Sequence, residues 1–255
     1  MRILNTNEDG ILAPGLAALH AAVADLGEAA VVAPESTQSA MGHAITVHRA
    51  IDVRRVHVHN QFHGWSVDGR PADCVKLAMI ELLPWRPDYV LSGINAGANT
   101  GVNVLYSGTV AGAVEAAFFG VPAIAFSLEI SAELDFARAG RIARELFRTI
   151  TAQAPPPGTC LNVNIPALNG RRPRGVRCCP QATLPMQEHY HKQTAEAGHT
   201  VYTLDGRFPE PEKCPTSDHA ALHDGYVSVT PLRYDLTDHA RLAGLAEWTW
   251  PTQLA

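Results

Sequence analysis

Short runs of successive apolar residues alternate along the first half of the chain with segments that repeat at helical spacing. Ile3-Leu4, Ala29 to Ala33, Tyr89 to Ser92 and Ala123 to Ser127 are nearly all apolar, as strands of a parallel sheet covered on both faces are. Between them, Pro14 to Leu26, Pro71 to Leu83 and Val110 to Phe119 read as helices. Pro14 and Pro71 stand in first-turn positions, where a missing N–H costs nothing. Repeated strand-helix-strand order predicts an α/β protein with a Rossmann-like, doubly wound sheet. After the second strand, Ile45 to Val67 alternates apolar and polar residues and predicts inserted antiparallel β-hairpins.

The second half is less regular. Arg141 to Ile150 continues a helix, the run Pro155-Pro156-Pro157-Gly158 stops it, and Cys160 to Ile165 resumes as a strand. Pro180 to Ser217, rich in His, Pro and Glu, shows little periodicity and reads as a long loop or projecting arm. Tyr226 to Pro231 is a strand, and Thr237 is placed to cap a last short helix. No boundary separates an independent unit, so residues 1–255 are expected to form a single domain. Its core spans 1–130, and a C-terminal extension spans 131–255 with the arm at about 180–217.

Composition narrows the class. With 46% hydrophobic and 18% charged residues, 255 residues suffice for one large α/β enzyme core. A net charge of −5 supplies no footprint for duplex nucleic acid or for an anionic membrane. The five cysteines, Cys74, Cys160, Cys178, Cys179 and Cys214, are odd in number and form no C-x-x-C pair, so they are read as reduced thiols. Acidic Glu8 and Asp9 fall where the apolar core of a secretory signal would lie, and the mature chain is expected to start at Met1. No stretch approaches the roughly 20 apolar residues that cross a bilayer. A cytoplasmic protein without membrane contact is expected.

The chemistry concentrates where strands give way to loops. Thr6-Asn7-Glu8-Asp9-Gly10 puts two adjacent carboxylates at the carboxyl end of the first strand, the end at which open α/β sheets bind ligands. Adjacent acids repel unless a positive charge sits between them, so the pair reads as half of a divalent-metal site. Ser92-Gly93-Ile94-Asn95-Ala96-Gly97-Ala98-Asn99-Thr100-Gly101 follows another strand. Its glycines permit close backbone approach, and its asparagines offer oxygens to a cation and N–H groups to an anion. It contains neither the G-x-x-x-x-G-K-[ST] loop nor the dinucleotide G-x-G-x-x-G. Ser107 or Thr109 would cap the following helix, whose first free N–H groups, including that of Gly108, make an anion site. The loop from Pro34 to His43 carries Ser39, Gly42 and His43; it is either a surface loop or the completion of a metal shell.

Five segments in this order, TNEDG at 6–10, APESTQSAMGHAIT at 33–46, GRPADCVKLA at 69–78, SGINAGANTGVNVLYSGTVAGAVEAA at 92–117 and GYVSVTPLRYDLT at 225–237, resemble the SurE family of survival proteins, metal-dependent 5′/3′-nucleotidases. The resemblance covers most of the chain and is weak around 180–217. It implies a Rossmann-like core with a C-terminal extension exchanged between subunits, a homodimer or homotetramer, and hydrolysis of nucleoside monophosphates with one Mg²⁺ or Mn²⁺ per subunit. The family's metal ligands, an Asp-Asp pair, a Ser and an Asn, match Glu8, Asp9, Ser39 and Asn95. The departure is Glu8, one methylene longer than Asp.

The expected mechanism is metal-assisted hydrolysis of a phosphomonoester. Asp9, Asn95 and Ser107 are assigned catalytic roles, and Ser39, Gly42, His43, Asn99, Ser107, Gly108 and Thr109 are assigned to the substrate. Asp235 and His239 stand at i, i+4; His239 would either protonate the leaving alkoxide or form a surface or capping pair with Asp235. His57, His59 and His63, and His189 and His191 in the arm, show no ligand spacing tied to a second cluster and read as solvated or structural. The alternative reading is a SurE-like nucleotide-binding or regulatory protein whose catalysis is impaired by Glu8.

Overall fold

Ile3 and Leu4 point to opposite faces of one strand, and both are fully buried, which fixes a layer of helices on each side. The computed structural model describes residues 1–58, 61–167, 170–195 and 198–252. Chain order is β1 (Arg2–Thr6), α1 (Pro14–Val23), β2 (Glu28–Pro34), β3 (Val53–Val58), β4 (Phe62–Val67), α2 (Pro71–Leu77), β5 (Tyr89–Ala96), α3 (Gly108–Phe118), β6 (Ala123–Leu128), α4 (Phe136–Ala152), β7 (Cys160–Ile165), β8 (Val176–Cys178), β9 (Gln187–Thr194), β10 (Thr200–Arg207), α5 (Asp218–His223), β11 (Val227–Leu232) and α6 (His239–Ala246). Among the described residues nine strands form one sheet in the order β3-β4-β2-β1-β5-β6-β7-β11-β8. From β4 to β7 every neighbouring pair is parallel; β3 on β4 and β11 on β7 are antiparallel.

Alternation along the strands supplies a packed core on each face of the sheet. Leu4, Val32, Val90 and Ala125 pack beneath α2 and α3, with Val75, Ala113 and Ala116 facing them. Ile3, Leu91, Ile124 and Phe126 pack on the other side against α1 and α4, where Leu19, Val23, Ala139 and Phe147 close the layer. Asp135 caps α4 by accepting the Arg138 N–H. Its buried Ala139, Ala143 and Phe147, four residues apart, form the centre of an apolar stripe flanked by Ile142, Leu146 and Ile150.

Several sequence expectations are revised. Among the described residues of 45–67 there is one hairpin, β3 with β4, and 45–52 form no strand. The helix starting at Pro71 passes into a π-helical turn over Ala78–Leu82. Asp238, not Thr237, caps α6, because its carboxylate accepts the Arg241 N–H. The segment 180–217 is not irregular throughout: β9 and β10 pair antiparallel from Gln187↔Arg207 to Thr194↔Thr200, every residue in them exposed. With no buried face, such a hairpin has no polarity alternation to reveal it. The five cysteines are unpaired, and among the described residues no helix is long and apolar enough to cross a membrane.

α1 lies close against the β5 backbone at Gly15. A Cβ on Gly15 would lie 1.9 Å from the Ile94 carbonyl oxygen. Gly15→Ala is therefore expected to lower stability by about 3 kcal/mol or more, the upper range for overpacked sites, measured by urea denaturation.

Candidate active site

β1 lies between β2 and β5, and the chain leaves β1 for β2 on one side and reaches β5 through α2 on the other. The loops at the carboxyl ends of β1 and β5 therefore diverge, which opens a crevice at the switch point of the sheet. A cleft of about 600 Å³ lies there, lined by Glu8 and Asp9 after β1, Ser39 after β2, Asn95 and Asn99 at and after β5, and Ser107 before α3. The β2 loop is strapped onto the β1 loop: Gln38 N–H donates to Glu8 O at 2.8 Å and Thr37 Oγ1 to Asp9 O at 3.2 Å.

Glu8 is 4% exposed, and its carboxylate sits on the amino end of α3. Oε1 accepts from Ser107 Oγ and Thr109 N, and Oε2 from Gly108 N, each at 3.1 Å. Ser107 itself caps the helix by accepting Val110 N–H at 3.1 Å. The extra methylene of Glu lets the carboxylate reach the free N–H groups that attract anions. Burial pushes the Glu8 carboxyl above its ordinary value, against the pull of the Thr109 and Gly108 N–H groups and the Ser107 hydroxyl. Burial likewise raises Asp9, whose Oδ2 accepts Ala96 N–H at 3.2 Å.

The β5 end is aimed by an irregularity. The register between β5 and β6 shifts between Ser92 and Asn95, and a Cβ on Gly93 would meet the Phe126 carbonyl oxygen at 2.3 Å, so only glycine fits. Asn95 Nδ2 donates to Gly97 O at 2.8 Å, which turns Oδ1 the other way. Asn99 is fixed by a buried polar network that the sequence reading did not identify. Its N–H donates to Asn164 Oδ1 at 2.7 Å, its Nδ2 to Ser127 Oγ at 2.8 Å, and its carbonyl accepts Asn162 Nδ2 at 2.8 Å. The available signal was Asn162 and Asn164 alternating inside an otherwise apolar, fully covered strand.

The fold thus brings Glu8, Asp9, Ser39, Asn95, Asn99 and Ser107 to one cleft, and the Gly108 and Thr109 amides to Glu8. Gly42 and His43 do not line it. Gly42 N–H donates to Tyr106 O at 2.8 Å. His43 Nε2 pairs with Glu115 Oε2 at 2.7 Å and stacks on Phe118, facing an apolar groove beside α3. Burial raises the Glu115 carboxyl, but His43 and Lys76 outweigh it and hold it below its ordinary value. His239 is exposed on α6, its Nε2 2.6 Å from Asp235 Oδ2, and is not among the residues lining the cleft. The His57 and His63 rings meet across β3 and β4, tilted by 52° with centroids 4.1 Å apart; His59 lies outside the described residues. Met186, Glu188, Tyr190 and Leu204 of the hairpin region reach the cleft, a role invisible while the segment read as a loop.

Among the described residues lining the cleft there is no Lys, Arg or His, whereas Glu8, Asp9 and Glu188 are acidic. A dianionic ligand could enter only with a cation. Because Glu8 is raised in the folded chain, the folded state keeps a proton that the unfolded state loses as pH rises above 4.5. Stability attached to Glu8 therefore falls with rising pH. In EDTA, Glu8→Gln is expected to lose less stability than wild type as pH rises above 4.5, read by urea titration at each pH.

The family model described as Survival protein SurE matches residues 3–188. The chain is 43% identical over 248 residues to the 5′-nucleotidase SurE of Syntrophobacter fumaroxidans, covering 97% of this chain and 99% of that one. It is 41% identical over 250 residues to the 5′-nucleotidase SurE of Christiangramia forsetii, covering 97% and 96%. The crystal structure of the SurE protein from Aquifex aeolicus superposes with a TM-score of 0.82 at 34% identity, covering 96% of this chain and 98% of that one.

Proposed function

Because the chain belongs to the SurE family, we propose that it is a metal-dependent phosphomonoesterase, a 5′-nucleotidase that hydrolyses nucleoside 5′- and 3′-monophosphates to nucleoside and phosphate. The observation that carries this reading is the cleft itself. It is acidic, free of basic side chains among its described lining residues, and open beside the amino end of α3.

The donor set fits a hard divalent cation. Asp9 and Glu8 offer carboxylate oxygens, Ser39 a hydroxyl, and Asn95 an amide oxygen left clear by the bond from its Nδ2 to Gly97. These four residues would hold one Mg²⁺ or Mn²⁺ per subunit, which when bound supplies positive charge for the phosphate and acidifies a water. Asn99, positioned by Ser127, Asn162 and Asn164, presents polar groups to the equatorial phosphate oxygens. Ser107 and the Gly108 and Thr109 amides are suited to the same task. In this structure Glu8 takes their bonds, so Glu8 and a phosphate oxygen compete for one set of donors. Asp9, with only Oδ2 engaged by the Ala96 amide, is the carboxylate suited to orient or deprotonate the attacking water. Impaired catalysis through Glu8 is not favoured, since relatives matched over nearly their whole length carry the name 5′-nucleotidase.

Residues 1–130 carry the proposed metal and phosphate donors, and from the extension 131–255 Met186, Glu188, Tyr190 and Leu204 border the cleft. Five unpaired thiols suit a reducing cytoplasm. Phosphate release from a nucleoside monophosphate is expected to stop on chelation with EDTA and to return with Mg²⁺ or Mn²⁺. Asp9→Asn, which removes charge while conserving shape, is expected to lower kcat by at least about 100-fold. Undiminished turnover after rigorous chelation would refute the mechanism.

The assembly reading rests on the C-terminal extension, on the part that follows the arm at 180–217. Leu236, Leu242, Leu245, Trp248 and Trp250 are exposed on and around α6, a density of apolar side chains that calls for a covering surface. Exchange of the C-terminal extension between copies would bury these side chains and give a homodimer or homotetramer. Sedimentation at micromolar concentration is expected to show a dimer or its multiple, and removal of residues 234–255 to shift the protein toward monomer.

A further inference from the structure

The β9–β10 hairpin has two unlike faces. Glu188, Tyr190 and Leu204 belong to one and line the acidic cleft. The other carries His189 and His191, two apart on β9, with Asp205 directly across from His189 on β10. His189 Nε2 and His191 Nε2 are 3.1 Å apart, Asp205 Oδ2 is 3.1 Å from His191 Nε2, and it is 3.6 Å from His189 Nε2.

We propose that this outer face is a second metal site, separate from the oxygen-lined cleft, in which His189, His191 and Asp205 bind a Zn²⁺-class transition-metal dication. A tetrahedral ion with ligands at about 2.0–2.1 Å has neighbouring ligand atoms about 3.3 Å apart. The triangle of 3.1, 3.1 and 3.6 Å matches one face of that tetrahedron, and the fourth position points to solvent.

The carboxylate is already oriented. Asp205 Oδ1 accepts Gly206 N–H at 2.7 Å, which leaves Oδ2 turned to the imidazoles. Arg207, on the same face two residues from Asp205, donates its Nε to Gln187 Oε1 at 2.8 Å. Imidazole nitrogen favours Zn²⁺ over Mg²⁺, which prefers oxygen and keeps its waters. The two sites therefore select different metals by ligand chemistry. Binding also clips β9 to β10, ordering the hairpin whose inner face lines the cleft.

The test is a Zn²⁺ titration of the full-length protein in excess Mg²⁺, read by competition with a chromogenic chelator, together with amide exchange of β9 and β10. Wild type is expected to bind one Zn²⁺ per chain that Mg²⁺ does not displace, and its hairpin amides to slow in exchange. The double variant His189→Ala, His191→Ala and the conservative Asp205→Asn are expected to weaken binding by roughly 10-fold or more and to lose the exchange response. Asp9→Asn is expected to keep both. All three ligand residues are exposed, so the substitutions leave the packed core untouched. Absence of a Mg²⁺-resistant Zn²⁺ in wild type, or equal Zn²⁺ binding by the hairpin variants, would overturn the proposal.

Discussion

The bond between the Glu8 carboxylate and the amino end of α3 is the contact through which the rest of the site is assembled. It ties the loop after β1 to the helix that follows β5, across 100 residues of chain, and so closes the crevice that a doubly wound sheet leaves at its switch point. The helix end supplies three donors to a carboxylate removed from water, a stronger arrangement than a neutral cap because the acceptor carries charge. Burial still leaves Glu8 and Asp9 raised, so the helix end compensates only part of the charge. The remainder is the electrostatic reason for placing a cation in this cleft.

Around that contact the structure separates rigid from adaptable parts. The β5 loop is fixed from below by hydrogen bonds of Asn99 with Asn162, Asn164 and Ser127. Above it, the cleft is bordered by Ser39 on an exposed loop and by the inner face of an exposed hairpin. Strands with no buried face are held only by their ladder and side-chain pairs, so chemistry on the outer face bears on what the inner face presents.

His43 shows how neighbouring donors are divided. It lies three residues before Thr46 and four after Ser39, yet its ring goes to Glu115 within α3 and stacks on Phe118. A carboxylate 2% exposed needs partners, and His43 with Lys76 meets that need. The imidazole is thereby committed to the helix, away from the acidic cleft.

The sequence by itself determined the order of strands and helices in the first half, the acid pair at the end of β1, the Asn-rich loop after β5 and the family that these motifs resemble. Those signals are local: continuous apolar runs for covered strands, helical spacing, proline at first turns, and polar residues at strand ends. Tertiary structure alone decided that Glu8 lands on α3, that Asn162 and Asn164 reach Asn99, that the hairpin borders the cleft, and that Asp205 meets His189 and His191. Each joins segments distant in the chain, or lies on strands exposed on both faces. Neither case leaves a periodic trace, because side-chain partners across a fold are fixed by register and packing, not by neighbours in sequence.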